Sequence, residues 1–269
     1  MAHQARKRFG QHFLTDGSII HNIVSTIHPC KDDFIIEIGP GLGAITYPLM
    51  SLTEGLEVVE IDRDLVNFWK QKGIPDLVIH QADALTFDFS SWAQSCLNNI
   101  KNQQTLGQVK VIGNLPYNIS TPLLFHLMKA IDWVDLQVFM LQKEVIQRMV
   151  AQPGDSEYSR LSVMLQMRYD IQDCFDVPPN SFEPPPKVNS AVVVMRPKKN
   201  TEIEAKVWTT LEALVAKAFS QRRKVLSNNI GEYRDVLQLD TATLRARAQE
   251  ISGETYLDWA KILAENDQR

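Results

Sequence analysis

The stretch GNLPYNIS directly follows an apolar run that is predicted to be a buried strand, so Asn114 and its neighbours fall at the tip of that strand. The side-chain oxygen of Asn114 and the backbone carbonyl of Leu115 can accept hydrogen bonds from an amine. Pro116 restricts the backbone that carries this carbonyl, and the ring of Tyr117 offers a face on which a base can stack. This set is suited to aligning the exocyclic amine of a flipped base for attack. Taken alone, the same four residues are compatible with a strand-end turn and a packed tyrosine.

A second candidate site is the glycine-rich turn EIGPGLG, which follows the predicted strand at 34–38. Gly39 and Gly41 let the backbone turn tightly and let a ligand approach closely. The spacing is G-x-G-x-G, which differs from the G-x-G-x-x-G of dinucleotide-binding proteins, and Glu37 precedes it. The turn alone could serve a nucleotide or form a tight corner.

Two carboxylates come at the ends of the next predicted strands. Glu60 lies about 20 residues after the glycine turn, where a carboxylate can accept hydrogen bonds from both hydroxyls of a ribose, and Asp83 follows the third strand. Ligands of such sheets bind at the carboxyl ends of the strands. One nucleoside-like ligand could therefore touch Gly39, Glu60, Asp83 and Asn114. The combination favours S-adenosylmethionine over a nicotinamide cofactor, and transfer from its cationic sulfonium requires neither a metal nor a strong general base.

The elements that must position these residues alternate between apolar strands and helical patterns. This alternation predicts an α/β fold, a doubly wound parallel sheet covered on both faces. The pattern at 121–130 begins with Thr-Pro, which predicts an N-cap followed by proline in the first turn. The predicted strands span residues 34–38, 56–61, 77–80, 109–112, 136–141, 170–177 and 191–195, and further helices span residues 45–52 and 65–71.

The chain divides near residue 200. Residues 1–199 are predicted to form the sheet domain, which includes a basic N-terminal segment (ARKR at 5–8) and a long rigid loop, PPNSFEPPPKVNS. Residues 200–269 contain apolar residues at helical spacing and no strand pattern, which predicts a small helical domain.

Composition limits the class of protein. The chain has 269 residues, 44% of them hydrophobic and 22% charged, with a net charge of -4. No apolar run reaches the roughly 18 residues needed to span a bilayer, so no membrane is expected. The three cysteines are far apart and the histidines are scattered. Reduced thiols in the cytoplasm and no metal site are therefore expected. QRRK at 221–224 is placed on a helical pattern and could contact nucleic acid, although basic clusters also occur on ordinary solvated faces.

With these residues in hand, the chain resembles the KsgA/RsmA family of small-subunit ribosomal RNA adenine N6,N6-dimethyltransferases over nearly its whole length. The Asn-x-Pro-aromatic tetrad is shared with many amino-methylating enzymes, whereas KRFGQHFL together with PPPKVNSAVV is highly specific. The matching segments are KRFGQHFLTD, EIGPGLGAIT, EIDRDL, QADAL, GNLPYNISTPLLF, FMLQKEV, YSRLSV, FEPPPKVNSAVV and FSQRRKVLSNN.

The resemblance implies a Rossmann-like class I methyltransferase sheet and roles for individual residues. Many relatives carry Asn at the position of His12, where an imidazole can still donate a hydrogen bond. The residues implied to contact S-adenosylmethionine are His12, Leu14, Gly39, Gly41, Glu60, Asp83 and Asn114. Those implied to form the methyl-transfer site around the target base are Asn114, Leu115, Pro116 and Tyr117. Those implied to contact RNA are Phe182, Lys187, Arg222, Arg223 and Lys224.

The substrate implied by the resemblance is two adjacent adenines in a hairpin near the 3′ end of small-subunit RNA, each receiving two methyls within an assembling 30S-type subunit. A monomer is expected. One alternative is the erythromycin-resistance type of large-subunit rRNA methylase, which predicts a more basic chain. A DNA adenine methylase usually carries a second proline where Leu115 stands. An assembly checkpoint that binds immature subunits would use the same surface as the enzyme. A nicotinamide dehydrogenase is the remaining alternative.

Overall fold

The computed structural model describes residues 12–198 and 202–266 and contains a large sheet and a two-stranded sheet. The predicted basic segment at 5–8 and the residues at the predicted 199/200 boundary lie outside the described residues. The strands are β1 (Phe13–Leu14), β2 (Phe34–Ile38), β3 (Gly55–Glu60), β4 (Val78–Gln81), β5 (Val109–Asn114), β6 (Leu136–Gln142), β7 (Tyr169–Val177), β8 (Phe182–Glu183) and β9 (Ser190–Pro197).

The large sheet has seven strands in the order β4-β3-β2-β5-β6-β9-β7. The first five strands of this order are mutually parallel, and β9 pairs antiparallel with β6. From β2 the chain moves outward to β3 and β4, then returns to the other side of β2 with β5. This reversal between β2 and β5 is the point at which open α/β sheets bind their ligands. The predicted α/β class is confirmed.

Helices connect the strands, and several begin at an aspartate because a carboxylate there accepts the unpaired amides of the first turn. Asp16 accepts hydrogen bonds from the amides of Ser18 and Ile19 at 2.9 and 3.2 Å. The helices are α1 (Gly17–Ile27), α2 (Thr46–Met50), α3 (Arg63–Lys72), α4 (Phe89–Gln103), α5 (Ser120–Leu127), α6 (Lys143–Val150), α7 (Arg160–Arg168), α8 (Ala205–Ala218), α9 (Leu226–Ile230), α10 (Thr241–Arg245) and α11 (Gly253–Asn266).

The start of α5 differs from the prediction. Ile119 occupies the N-cap position and the helix begins at Ser120, so Thr121 is not the cap. The Ser120 hydroxyl instead donates to the carbonyl of Tyr117 at 3.1 Å. Pro122 is therefore the third helical residue, two positions later than predicted, and it is tolerated there because the first four amides of a helix have no partner within the helix.

The chain forms two compact units. One comprises the described residues up to Ile146 together with Ile171–Pro197, and it contains the large sheet. The other comprises Gln147–Asp170 and the described residues from Lys198 onward. The sequence places residues 147–170 in the sheet domain, yet α7 belongs to the helical unit. The cause is non-local packing: the α7 residue Met167 contacts Gly253 of α11, where a Cβ would lie 3.0 Å from the Met167 side chain.

The proline-rich segment contains more regular structure than predicted. Residues Pro179–Ser181 form a 3-10 turn, and β8 follows it. β8 pairs antiparallel with β1, with Phe13 opposite Glu183 and Leu14 opposite Phe182. Phe182 and Glu183 can form a strand because both retain a backbone N–H group, unlike the three prolines that follow them.

A buried ion pair lies at the amino-terminal end of β2 and β5. Lys110 Nζ lies 2.6 Å from Asp33 Oδ2, and both side chains are 2% exposed. The ammonium group also donates to the carbonyls of Ile27 and His28. Asp33 accepts hydrogen bonds from the amides of Cys30 and Gln108. The network joins α1, β2 and β5, and all of its charges have partners.

We expect Lys110→Met to lower the free energy of unfolding by about 3–5 kcal/mol, because Asp33 would remain buried without its cation. Urea denaturation measures this change. The matched control is Lys31→Met, since Lys31 pairs with Glu54 where the side chains are 75% and 72% exposed. That variant should leave the free energy of unfolding nearly unchanged, because water screens the exposed pair. Equal losses in both variants would contradict the importance given to the buried pair.

Candidate functional site

The glycine turn, which follows β2 directly, forms one side of the site. Gly39 and Gly41 have φ values of +69° and +54°, a left-handed backbone that favours glycine. The Gly39 amide donates to the Val59 carbonyl at 2.9 Å, which ties the turn to β3. A Cβ on Gly41 would lie 3.2 Å from the ring of Phe13. The turn therefore leaves its backbone close to the cavity and is packed against β1.

Glu60 ends β3 and is 6% exposed. Its Oε1 atom accepts a hydrogen bond from the Asp62 amide at 2.8 Å. Burial raises the pKa of the Glu60 carboxyl, and the hydrogen bond from Asp62 opposes this rise. A carboxylate has room for further hydrogen bonds after this one, so Glu60 is a suitable acceptor for hydroxyl groups of a ligand.

Glu37 is a second buried acid of the same cavity, 2% exposed in β2. The Thr46 hydroxyl donates to Glu37 Oε2 at 2.6 Å. Burial raises the pKa of Glu37 to about 7; the Thr46 hydrogen bond works against this rise, and the nearby charge of Glu60 adds to it. A cation bound in the cavity would stabilise the charged form of both acids.

Asp83 lies just beyond β4 and is partly exposed. Its Oδ1 atom accepts a hydrogen bond from the Leu85 amide at 2.9 Å. The Ala82 amide donates to the Glu60 carbonyl at 3.1 Å, which extends the pairing of β3 and β4 toward the cavity. The loop thus holds the Asp83 carboxylate at the same sheet edge as Glu60.

The turn after β5 presents two acceptor atoms. Asn114 Nδ2 donates to the carbonyl of His12 at 3.2 Å, which directs the side-chain amide. The Leu115 amide donates to the Met140 carbonyl at 3.1 Å, and its side chain is 1% exposed. Among the described residues, neither Asn114 Oδ1 nor the Leu115 carbonyl accepts a hydrogen bond. Both oxygens remain available to an amine.

The ring of Tyr117 is packed against His12. Their ring centroids are 5.8 Å apart with an angle of 26° between the planes. His12 Nδ1 lies 2.8 Å from the Pro184 carbonyl, so this nitrogen carries the proton and donates it. Burial raises the pKa of the Tyr117 hydroxyl. His12 thereby connects the proline-rich segment to the turn after β5.

These residues surround one cavity of about 760 Å³, within the range of small-molecule sites. The cavity brings together all ten residues predicted to bind the cofactor or the target base, although their individual roles stay predictions. They are His12, Leu14, Gly39, Gly41, Glu60, Asp83, Asn114, Leu115, Pro116 and Tyr117. Within residues 12–198 and 202–266, no cluster of three or more His, Cys, Asp or Glu side chains could hold a metal ion. The same residues contain no helix with the length and apolar character needed to cross a membrane.

Sequence reasoning missed several cavity residues. Phe13 lies between two predicted contacts, His12 and Leu14, and its position in β1 was a signal that it belongs to the site. Ile61 directly follows Glu60, the last residue of β3, and is 48% exposed, which is unusual for an isoleucine. Tyr47 is 42% exposed and packs against Trp69, with ring centroids 5.2 Å apart. An apolar wall beside the strand ends suits a flat heterocycle.

The structure does not support the predicted RNA contact of Phe182. Its side chain is 4% exposed, because β8 turns it into the hydrophobic core with Leu14. Lys187 lies a few residues further along the same segment and is exposed.

The predicted RNA-binding cations lie in the helical unit, but in a turn. Helix α8 ends at Ala218, so 221–224 is not the continuation of the helix that the sequence indicated. Arg222, Arg223 and Lys224 are exposed, and the Arg222 guanidinium donates to the Tyr158 carbonyl at 3.3 Å. Val225 forms a β-bridge with Arg247, which brings a second exposed arginine segment alongside the turn. This neighbour has no local sequence signal, because the pairing is between distant segments.

The raised pKa of Glu37 makes the stability of Glu37→Gln relative to the wild type depend on pH. Below about pH 4.5 the carboxyl is protonated in both folded and unfolded wild-type chains. As pH rises toward 7, the unfolded chain ionises first, so the wild-type free energy of unfolding falls. The substituted amide stays neutral at every pH, and the advantage of the variant over the wild type should grow by roughly 3 kcal/mol between pH 4.5 and 8.

Chemical denaturation at several pH values measures this difference. Glu54→Gln is the control, because it removes only an exposed carboxylate paired with Lys31 and should change stability by less than about 1 kcal/mol. A constant difference between wild type and Glu37→Gln across the pH range would show that burial does not raise the Glu37 pKa.

The fold has known counterparts among solved structures. The dimethyladenosine transferase from Plasmodium falciparum superposes with a TM-score of 0.74 at 24% identity, covering 96% of this chain and 98% of that chain. The 23S rRNA methyltransferase ErmE superposes with a TM-score of 0.64 at 21% identity, covering 93% and 99%. These similarities show the fold alone.

Closer relatives share the name ribosomal RNA small subunit methyltransferase A. The protein from Bordetella petrii is 50% identical over 258 residues, covering 95% of this chain and 94% of the relative. The protein from Dechloromonas aromatica is 46% identical over 269 residues, covering 97% and 99%. A model of the family described as ribosomal RNA adenine dimethylase matches residues 2–267. The predicted resemblance is confirmed, and the chain belongs to the ribosomal RNA adenine dimethylase family.

Proposed function

We propose that this protein transfers methyl groups from S-adenosylmethionine to N6 of two adjacent adenines in a hairpin near the 3′ end of small-subunit rRNA, giving dimethyladenosines. The observation that carries the proposal is the single cavity that joins strand-end carboxylates to the acceptor atoms of Asn114 and Leu115. One part of the cavity has the chemistry for a nucleoside cofactor, and the other has the chemistry for an amine.

The residues of the glycine turn and of β3 fit the methyl donor. S-adenosylmethionine, when bound, supplies a methyl group carried on a cationic sulfonium. Gly39 and Gly41 keep their side of the cavity free of side chains. Glu60 is placed to accept hydrogen bonds from ribose hydroxyls, and Asp83 to accept one from the adenine amino group. The two buried acids, Glu37 and Glu60, favour a cationic ligand.

The turn after β5 would hold the target base. An adenine amine is a weak nucleophile because its lone pair is delocalised into the ring. Asn114 Oδ1 and the Leu115 carbonyl would accept its two N–H hydrogens and orient the nitrogen. Pro116 fixes the backbone that carries this carbonyl, and Tyr117 supplies a stacking surface. The first methyl removes one N–H donor, so the second transfer would use a single acceptor and rely more on stacking.

The substrate assignment follows the relatives. Proteins about 50% identical to this chain are named for the ribosomal small subunit, whereas the likeness to the 23S rRNA methyltransferase ErmE is one of fold. The turn at Arg222, Arg223 and Lys224 would contact RNA phosphates, and Lys187 would contribute from the sheet unit. We propose that the partner is the assembling 30S-type particle, that the protein works as a monomer, and that it acts in the cytoplasm, in keeping with its unpaired cysteines.

A methylation assay tests the whole proposal. Purified protein would be incubated with labelled S-adenosylmethionine and small subunits from cells that lack the modification, with large subunits and naked RNA in parallel. Dimethyladenosine in the small-subunit particles is the expected product. Label on large-subunit RNA would transfer the substrate to the resistance-type class, and absence of label despite cofactor binding would contradict the enzymatic role.

We expect Asn114→Ala to lower kcat by roughly 100- to 1,000-fold, because it removes an acceptor that acts on the reacting nitrogen. Particle binding should be retained within a few fold. Asn22→Ala is a suitable control, since Asn22 is exposed on α1 and does not line the cavity. An Asn114→Ala enzyme with normal turnover would remove Asn114 from the mechanism.

We expect Arg222→Glu combined with Arg223→Glu to weaken particle binding and to reduce the slope of log K against log salt by roughly one per cation. Filter binding across a salt series measures this slope. The control is Lys261→Glu, which reverses an exposed charge of the same unit that is paired with Asp258. If the double variant kept the wild-type affinity and slope, the phosphate contacts would have to lie elsewhere.

A further inference from the structure

The hydroxyl of Tyr117 has a partner outside the turn that carries the ring. It lies 2.7 Å from the Oγ atom of Ser190, a residue 73 positions further along the chain. Ser190 is completely buried, with 0% of its surface exposed. Because burial raises the pKa of Tyr117, its hydroxyl keeps its proton and can take part in this hydrogen bond as a neutral phenol.

Ser190 is itself held rigidly. It is the first residue of β9 and lies opposite Gln142 in the antiparallel ladder with β6. The preceding residue, Asn189, accepts a hydrogen bond from the Lys143 amide at 3.0 Å. The Ser190 hydroxyl therefore projects from the edge of the sheet core toward the turn after β5.

Tyr117 lies beyond the end of β5, so its position depends on contacts outside the strand pairing. The Ile119 amide donates to the Pro116 carbonyl, and the Ser120 hydroxyl donates to the Tyr117 carbonyl, so the backbone is fixed by local bonds. These bonds do not fix the side-chain torsions. His12 packs on the ring face and restrains the plane of the ring, and Ser190 holds the hydroxyl at the tip of the side chain in place.

We propose that Ser190 is a positioning residue of the methyl-transfer site, which fixes the direction of the Tyr117 side chain through the tyrosine hydroxyl and so determines how tightly the target adenine is held. The inference rests on the proposed function, in which Tyr117 stacks on that adenine. In this proposal the hydroxyl of Tyr117 has a structural role, and the ring face that His12 does not cover contacts the substrate. A phenylalanine at position 117 would keep the aromatic face but would lose the hydrogen bond to Ser190.

Steady-state kinetics on small-subunit particles test this role. Ser190→Ala should raise KM for the particle roughly three- to tenfold, the range expected for one net hydrogen bond, with the dissociation constant for S-adenosylmethionine within about twofold of wild type. Tyr117→Phe should give a similar KM. The double variant should be no worse than either single variant, because both remove the same bond. Additive losses, or a Ser190→Ala enzyme with wild-type KM, would overturn the proposal.

Two further measurements separate positioning from general instability. Ser162→Ala removes another fully buried serine hydroxyl, which donates to the Arg148 carbonyl in the helical unit, and should leave both constants unchanged. NMR of the ligand-free protein labelled with 13C-tyrosine requires no RNA. The resonance that Tyr117→Phe removes should shift in Ser190→Ala, and an unshifted resonance would overturn the proposal. This result is distinguishable from failure of the proposed function, in which the wild-type protein itself methylates no small-subunit RNA.

Discussion

The register between β2 and β5 is the constraint on which the site depends. Ile38 pairs with Gly113, so the glycine turn and Asn114 leave the sheet side by side. A Cβ on Gly39 would lie 4.0 Å from the Asn114 carbonyl oxygen. A shift of one residue would exchange the two faces of a strand that is buried on both sides. The Lys110–Asp33 pair lies at the opposite, amino-terminal end of the same two strands, away from the cavity, and helps to fix their alignment.

The site concentrates negative charge in a place from which water is largely excluded. Glu37 and Glu60, which both line the cavity, are 2% and 6% exposed. Hydrogen bonds from Thr46 and from the Asp62 amide offset part of the cost of burying the two glutamates. Such a cavity favours a cationic ligand over a neutral or anionic one of the same shape. Only the cation compensates for the cost of burying the two glutamate carboxylates.

The sequence was sufficient to predict the sheet and the cavity because both rest on local patterns. Buried parallel strands are nearly continuous apolar runs, as in β2 and β6, and the carboxyl ends of such strands necessarily meet at one edge. Contacts between segments that are far apart in the sequence could not be predicted from local patterns. Residues 147–170 join the helical unit through contacts with residues beyond 198. Phe182 carries no signal that β1 will pair with its strand and turn its ring inward. Ser190 looks like an ordinary strand residue until Tyr117 is brought beside it.

The pairing of β1 with β8 has a consequence for synthesis on the ribosome. The contacts that complete the acceptor side join His12 to Pro184 and Tyr117 to Ser190, separations of 172 and 73 residues. The glycine turn and β2 to β5 precede β8 and β9 in the chain, so they leave the ribosome before Pro184 and Ser190 do. The partners of His12 and Tyr117 emerge only with β8 and β9. A chain that ends before β8 thus contains the glycine turn and Asn114 but lacks the residues that hold His12 and Tyr117 in place.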